Sequence, residues 1–404
     1  MKNTRVYALL LMLLLVLISP LSEARQATSM IPSPSCGIIG SYLPSLLGTY
    51  FIRPFPAYTA DYRSDYPGTY YVAHNVLLHY LNAANIGWDG ILGTRDDGPM
   101  NLRLANVLSL SELSAPVASD RRILYDIVDS FSYGDPLILY DIGADHVFAS
   151  SDDRIIPVLP HHVVGPDTKD IAREALIYMI ARNGPPIIVY HHLGQDGAPS
   201  ADDYAAALTH YSFSVTPLEA KVSWSGKFAL RFSDGRGELY DLGNDMRYSS
   251  GAGDDQIYSP SNVFIHEVDL SPDGRYFAYT YNPGNPTNYL DIYDVGPNGR
   301  FENMQGDDSL YTIIDAGNIT EPRIDGLDPN TRATARLVYF NITSAGQQVE
   351  YLNAGNDGIF GSSDDFGNTL FRNQTARLLT SLRIAGSLVT FEDNANIYFD
   401  SLCA

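Results

Sequence analysis

The stretch Asn353-Ala354-Gly355-Asn356-Asp357-Gly358, closed by Asp364-Asp365, decides how this chain is to be read. Five other segments repeat it. They are Asn85-Ile86-Gly87-Trp88-Asp89-Gly90 with Asp96-Asp97, Asp141-Ile142-Gly143-Ala144-Asp145 with Asp152-Asp153, and His192-Leu193-Gly194-Gln195-Asp196-Gly197 with Asp202-Asp203. The remaining two are Asp241-Leu242-Gly243-Asn244-Asp245 with Asp254-Asp255, and Asp294-Val295-Gly296-Pro297-Asn298-Gly299 with Asp307-Asp308. The first Asp of the closing pair returns after 56, 50, 52, 53 and 57 residues. Such a period marks one structural unit repeated along the chain, each copy burying its faces against its neighbours.

Strand-forming runs flank the motif. Leu137-Ile138-Leu139-Tyr140, Ile187-Ile188-Val189-Tyr190 and Leu290-Asp291-Ile292-Tyr293 precede it; Ile155-Ile156-Pro157-Val158 and Ser309-Leu310-Tyr311-Thr312-Ile313 follow it. A third run lies upstream, as in Arg275-Tyr276-Phe277-Ala278-Tyr279 after the turn Ser271-Pro272-Asp273-Gly274, and a fourth opens each unit, as in Val263 to Val268. Aromatic and β-branched runs bounded by Gly, Pro, Asn and Asp are strands. Four antiparallel strands in about 50 residues make the blade of a β-propeller. The stretch Ser271 to Tyr279 resembles the blade signature of TolB-like and WD40-like propeller repeats, and Trp224 to Phe232 resembles it in part. The resemblance implies the fold and leaves the function open.

The expected architecture is all-β, a single seven-bladed β-propeller of four-stranded blades over residues 49–404. Three strand candidates follow the sixth motif unit, at 378–384, 387–391 and 396–399, without a fourth. Thr49-Tyr50-Phe51-Ile52-Arg53 reads as an N-terminal strand that completes this last blade and closes the ring, leaving no open edge. Cys36 and Cys403 are the only cysteines, one near each end. In an exported chain the pair reads as a disulfide locking the seam.

Export is the reading of the N-terminus. Lys2 and Arg5 precede the apolar run Ala8 to Ile18, and Ser22-Glu23-Ala24 offers small residues for cleavage. Residues 1–24 are thus a signal peptide, 25–48 an extension, and the mature chain is secreted, at the cell surface or periplasmic. No second apolar stretch reaches membrane length, so no stable insertion is expected after cleavage. The formal charge is −21, which disfavours nucleic acid as a partner. Three sequons stand at Asn318, Asn341 and Asn373.

The repeated loop collects oxygen ligands. The candidate metal residues are Asn85, Asp89, Asp96 and Asp97; Asp141, Asp145, Asp152 and Asp153; Asp196, Asp202 and Asp203; Asp241, Asp245, Asp254 and Asp255; Asp294, Asn298, Asp307 and Asp308; and Asn353, Asp357, Asp364 and Asp365. Calcium takes six to eight hard oxygens from carboxylates and carbonyls, which a Gly-rich acidic loop supplies. The alternative is a plain turn, because Asp and Asn hydrogen-bond their own backbone. Adjacent carboxylates, however, repel each other unless a cation or hydrogen-bond donors stand between them. Leu92, Phe148, Tyr248, Phe301 and Phe360, three residues past the central position, read as pins holding the loop to its blade.

No hydrolase, zincin, phosphate-loop or Cys-x-x-Cys motif is present. His161, His162, His191, His192, His210 and His266, with Glu267 and Asp269, are the candidates for a channel site. Tyr58, Tyr62, Tyr66, Tyr70 and Tyr71 read as packing or as a binding surface. The expected function is a calcium-stiffened extracellular protein for structure, adhesion or self-assembly, with itself or a cell-surface protein or glycan as partner. The competing classes are an extracellular hydrolase or lyase at the channel, and a TolB-like protein-binding module.

Overall fold

In the computed structural model the described residues are 38–42, 50–56, 69–75, 80–85, 117–119, 122–126, 137–141, 151–159, 169–180, 187–194, 203–208, 215–243, 256–284, 287–302, 304–315, 317–326, 335–373, 378–385, 388–392 and 397–401. Among them are 27 β-strands and no α-helix, and so no helix long and apolar enough to cross a membrane.

The strands form seven antiparallel sheets among the described residues. Strand β1 (Ile38–Tyr42) opens the chain and joins the last sheet. The first sheet is the meander β2 (Tyr50–Pro56), β3 (Thr69–Asn75) and β4 (Tyr80–Asn85). The second is β5 (Val117–Ser119), β6 (Arg122–Asp126), β7 (Leu137–Asp141) and β8 (Arg154–Leu159); the third is β9 (Lys169–Ala172), β10 (Ala175–Ile180), β11 (Ile187–His192) and β12 (Tyr204–Leu208). The fourth is β13 (Pro217–Val222), β14 (Lys227–Phe232), β15 (Gly237–Asp241) and β16 (Gln256–Tyr258); the fifth is β17 (Phe264–Leu270), β18 (Tyr276–Asn282), β19 (Tyr289–Asp294) and β20 (Ser309–Ile313). The sixth is β21 (Asn318–Asp325), β22 (Arg336–Thr343), β23 (Gly346–Asn353) and β24 (Phe366–Asn373). The seventh runs β25 (Thr380–Ala385), β26 (Leu388–Glu392), β27 (Ile397–Ser401) and then β1.

The strand added to the last sheet differs from the one expected. Of the expected strand Thr49–Arg53, residues 50–53 belong instead to β2, which pairs with β3 from Tyr50↔Asn75 to Pro56↔Thr69. The strand on β27 is β1, from Ile38↔Asp400 to Tyr42↔Ile397, within segment 25–48. The reason is local: β2 is followed closely by a partner of equal length, and a short loop costs little entropy to close. Strand β1 carries a register shift between Ile38 and Gly40, and its one glycine, Gly40, weakens its strand signal in the sequence.

The first strands of consecutive sheets lie side by side. Strand β2 touches β5, β5 touches β9, and the series continues through β13, β17, β21 and β25, which touches β2 again. Apolar cores lie between sheets rather than within them. Phe228 of the fourth sheet stacks on Tyr240 at 4.5 Å and on Tyr190 of the third sheet at 5.9 Å, and all three are buried. Equivalent cores join the second sheet to the third, the fourth to the fifth, the fifth to the sixth and the sixth to the seventh.

Carboxylates tie the first strands together. Asp170 accepts the Val222 N–H at 2.9 Å, and Glu219 accepts the Val268 N–H at 3.1 Å. Asp269 accepts the Ile324 N–H at 2.8 Å, Glu321 accepts the Leu382 N–H at 3.1 Å, and Glu267 accepts the Glu321 N–H. In each case an acid on one sheet satisfies a backbone donor on the next, which would otherwise be costly to bury. Burial pushes the Asp170 carboxyl up to about 6 and the Glu267 carboxyl up to about 7.

Two outcomes follow from this packing. Phe228→Ala removes a ring shared by two sheets and should cost about 3–5 kcal/mol in denaturant unfolding. Because the folded-state value of Glu267 lies above its ordinary 4.5, its protonated form favours folding. That contribution is complete below its ordinary value and is lost as pH rises through about 7. Glu267→Gln, which cannot ionise, should therefore gain stability relative to the parent across that window, as read by melting temperature against pH.

Candidate metal centre

All six motif copies occupy one place in the architecture. The opening residue is the last residue of the third strand of its sheet: Asn85, Asp141, His192, Asp241, Asp294 and Asn353. In copies two to six the closing pair directly precedes the fourth strand, which starts at Arg154, Tyr204, Gln256, Ser309 and Phe366. The register pairs opening residue with fourth-strand start in those copies, as in Asp141↔Arg154 and Asp294↔Ser309. The motif is thus one hairpin connection, repeated from sheet to sheet.

The loop backbone explains the glycines. Gly296 and Gly355 have φ of 75° and 64°, a region that favours glycine. A Cβ on Gly296 would lie 2.3 Å from the Asp307 Cγ, and one on Gly355 would lie 2.5 Å from the Asp364 Cγ. The first carboxylate of the closing pair, Asp307 or Asp364, therefore sits where only a glycine allows it. The opening residue makes the turn by accepting the N–H two residues on: Asp241 from Gly243 at 2.9 Å, Asp294 from Gly296 at 2.8 Å, and Asn353 from Gly355 at 2.9 Å. His192 does the same through Nδ1, from Gly194 at 3.1 Å.

The opening acids are buried and face cations from the second strand or its turn, and in the second copy also from the start of the fourth strand. Asp141 lies 3.6 Å from Arg122 and 3.1 Å from Arg154, and Asp241 lies 3.6 Å from Lys227. Arg275 grips Asp294 with two hydrogen bonds of 2.7 and 2.9 Å. In the sixth copy, where the opening residue is Asn353, Arg336 stands across from it in register. These first positions thus serve charge pairing and turn formation. Asp294 lies outside the acidic triad of its own loop.

The second Asp of the closing pair has a donor that sequence reasoning missed. The residue just before the motif reaches across the hairpin to it: Tyr140 donates to Asp153, Tyr293 donates to Asp308, and His191 lies 3.1 Å from Asp203. The signal was visible as the Tyr or His that precedes Asp141, His192 and Asp294. Backbone N–H groups add to this. Asp308 accepts from Glu302 at 2.7 Å, and Asp365 accepts from Gly361 at 2.6 Å. The first Asp accepts from the loop as well: Asp307 from Asn298 at 3.0 Å, and Asp364 from Asn356 at 2.7 Å. Those bonds hold the exposed Asp364 carboxyl below its ordinary value, the Ser362 hydroxyl contributing most. The central residues also shape their own turns, Asn298 accepting from Arg300 at 2.6 Å and Asp357 from Ile359 at 2.8 Å.

Two triads of acids result. Glu302, Asp307 and Asp308 bring one oxygen each within 4.8 Å of one another, and so do Asp357, Asp364 and Asp365. Glu302 was not among the expected ligands; it takes the place that the central Asp fills in the sixth copy. Asp308 Oδ1 is shielded from solvent and has no hydrogen-bond partner, and Asp203 Oδ1 is in the same condition. An orphaned carboxylate oxygen beside two further acids fits a hard cation such as calcium. Asp89, Asp96, Asp97, Asp145, Asp196, Asp202, Asp245, Asp254 and Asp255 lie outside the described residues, and Asp152 is exposed in the turn before β8.

The two pins among the described residues, Phe301 and Phe360, act between sheets, while Leu92, Phe148 and Tyr248 lie outside those residues. Phe301 is buried against Tyr258 of the preceding sheet, with centroids 5.5 Å apart, and its N–H donates to Asp241 of that sheet at 3.2 Å. Phe360 packs edge-on to Tyr276 at 5.4 Å, and the Tyr276 hydroxyl donates to the Gly358 carbonyl at 2.6 Å. Each loop is therefore strapped to the sheet before it.

Other candidates resolve differently. His161, His162 and His210 lie outside the described residues, as do Cys36, Cys403, Tyr58, Tyr62 and Tyr66. Tyr70 and Tyr71 are in β3, paired with Asn85 and Ala84. His266 is half-buried, and burial holds its imidazole below the ordinary value. Glu267 and Asp269 cap the next sheet, as described above. Of the sequons, Asn341 and Asn373 are buried, and the Asn318 side chain accepts the Asn288 N–H at 3.0 Å.

No protein-family model matches the chain, and no curated protein matches it in sequence. Solved structures resemble it. A chain of the mitotic checkpoint complex aligns with a TM-score of 0.53 at 11% identity, over 94% of this chain and 100% of that one. A prolyl endopeptidase aligns with a TM-score of 0.53 at 14% identity, over 88% of this chain and 47% of that one. The β-propeller domain of Cps50 (Swd1) from Myceliophteria thermophila aligns with a TM-score of 0.50 at 10% identity, over 90% and 99%. At these identities the likeness is of fold alone, and the fold is of the β-propeller class.

The glycine geometry has a direct consequence. Gly296→Ala or Gly355→Ala combines a left-handed backbone with a clash against the closing carboxylate. Each should lower stability by about 1–2 kcal/mol, measured by chemical denaturation, whereas Gly284→Ala, with open space around its Cβ, tests the backbone effect alone.

Proposed function

We propose that this chain is an exported, seven-bladed β-propeller with a closed ring, whose rim loops bind calcium, and that it serves structure, adhesion or self-assembly outside the cell. The observation that carries the calcium reading is the orphaned Asp308 Oδ1, shielded beside Glu302 and Asp307. The same acidic grouping recurs one sheet on, at Asp357, Asp364 and Asp365. In this reading the closing pairs, Glu302 and Asp357 are ligands, while Asp141, Asp241 and Asp294 shape the loop and neutralise buried cations. Calcium would compensate the repulsion left between the closing carboxylates and stiffen each strap between sheets.

Ring closure is supported by the unbroken series of neighbouring first strands, which returns from β25 to β2. It is supported also by β1 on β27, which leaves the last sheet with four strands. Cys36 and Cys403 stand just outside that strand pair in sequence, and a bond between them would fasten the seam. The leader at residues 1–24 supports export. Partner binding is consistent with the fold: one resembling propeller is part of a protein assembly, the mitotic checkpoint complex. Loops repeated on one rim suit calcium-bridged contacts between copies or with a surface glycan or protein.

The test is thermal melting of the mature chain in calcium and in excess chelator, with light scattering, repeated after reduction. Calcium should raise the melting temperature, and Asp307→Asn/Asp308→Asn should blunt the rise. A calcium-dependent gain in particle size supports assembly, and a lower melting temperature after reduction supports the disulfide. Superimposable curves in calcium and chelator would overturn the metal reading.

A further inference from the structure

Apart from the rim triads, a cleft of about 390 Å³ opens between strand β20 of the fifth sheet and the face of the sixth. Tyr311 and Ile313 line one side; Tyr339, Glu350, Tyr351 and Thr369 line the other. Tyr339, Glu350 and Thr369 are cross-strand partners on β22, β23 and β24, so they form one lateral row. The Thr369 hydroxyl lies 2.9 and 3.1 Å from the two Glu350 oxygens and donates its one proton there. The Tyr339 hydroxyl donates to Asp315 at 3.2 Å, and the Tyr351 hydroxyl accepts from Asn353 at 3.0 Å. With its hydroxyl engaged, Tyr339 offers the cleft its ring, whereas the Tyr351 side chain, next to Glu350 on β23, turns to the core shared with the seventh sheet.

Glu350 makes no ion pair among the described residues. Burial raises its carboxyl above the ordinary value; the negative charge of Asp315 adds to that, and the Arg372 charge opposes it without contact. A part-desolvated carboxylate set among aromatic rings lacks only a positive charge. Ring faces attract cations through their quadrupoles, and the carboxylate supplies the counter-charge. Neutral sugars leave that charge uncompensated, and anions meet a chain of net charge −21.

We propose that this cleft binds the ammonium head of an organic cation, held by Glu350 between Tyr311 and Tyr339. The inference is independent of the calcium reading, because none of these residues belongs to a rim triad. Quaternary amines and lysine side chains share the required chemistry.

The experiment is a ligand-observed NMR titration of the full mature chain with calcium in saturating excess, so that the rim loops do not compete. The probes are choline, N-acetyl-lysine methylamide, and 3,3-dimethylbutan-1-ol, the neutral isostere of choline. At least one amine should bind saturably, and choline about tenfold or more tightly than the alcohol. Glu350→Gln and Tyr311→Leu should each weaken the bound amine about tenfold while keeping the parent melting temperature. Tighter binding of the lysine derivative assigns the site to a protein side chain, and tighter binding of choline assigns it to a small quaternary amine. Equal affinity for choline and the alcohol, unchanged amine affinity in Glu350→Gln, or no saturable binding of either amine would overturn the proposal.

Discussion

A β-sheet of four short strands has two faces and cannot cover either one itself. From the second sheet to the seventh, the described residues of each sheet bury a face against the next, and that dependence shapes everything else. Phe228 belongs to the fourth sheet yet stacks on Tyr190 of the third. Asp170, Glu219, Asp269 and Glu321, one on each of four successive sheets, each satisfy a backbone donor of the sheet that follows. Stability is therefore a property of sheet pairs.

The repeated loop is the outer counterpart of that inner fastening. A buried cation opposite the motif, such as Arg275 on Asp294, neutralises its first acid. Tyr140, His191 or Tyr293 locks its last acid across the hairpin. An aromatic pin, Phe301 or Phe360, straps the loop to the preceding sheet. The loop composition that suits a cation is thus also the composition of a load-carrying turn. The two roles meet at Asp308, which takes a tyrosine proton and backbone N–H groups on one oxygen and leaves the other unpaired. Sheets strapped in this way hold the fifth and sixth loops against their neighbours, and the cleft at Glu350 opens between the same pair of sheets.

Much of the site was legible in the chain. The glycine two residues into each motif marks a turn that a side chain would resist, and Gly296 and Gly355 take left-handed backbone values there. The doublets announced adjacent carboxylates, and the aromatic residue three past the centre announced an anchor. What sequence spacing did not disclose was division of labour. Asp294 and Asp307 look alike in the sequence, yet one is buried under Arg275 and the other is exposed on the loop. Glu302 carries no repeat signature, because its part in the triad depends on how the fifth loop folds back on itself.

The sequence by itself determined the repeating unit, the all-β class and the position of the acidic hairpin, because turn chemistry and strand alternation are properties of neighbouring residues. The tertiary structure alone decided which N-terminal segment pairs with β27, which acids face cations, and which oxygen is left without a partner. Those outcomes depend on competition between distant segments for the same edge or the same charge. Tyr50–Pro56 found a nearby partner in β3, so Ile38–Tyr42 remained for the last sheet, a choice set by loop entropy and available edges rather than by any local pattern.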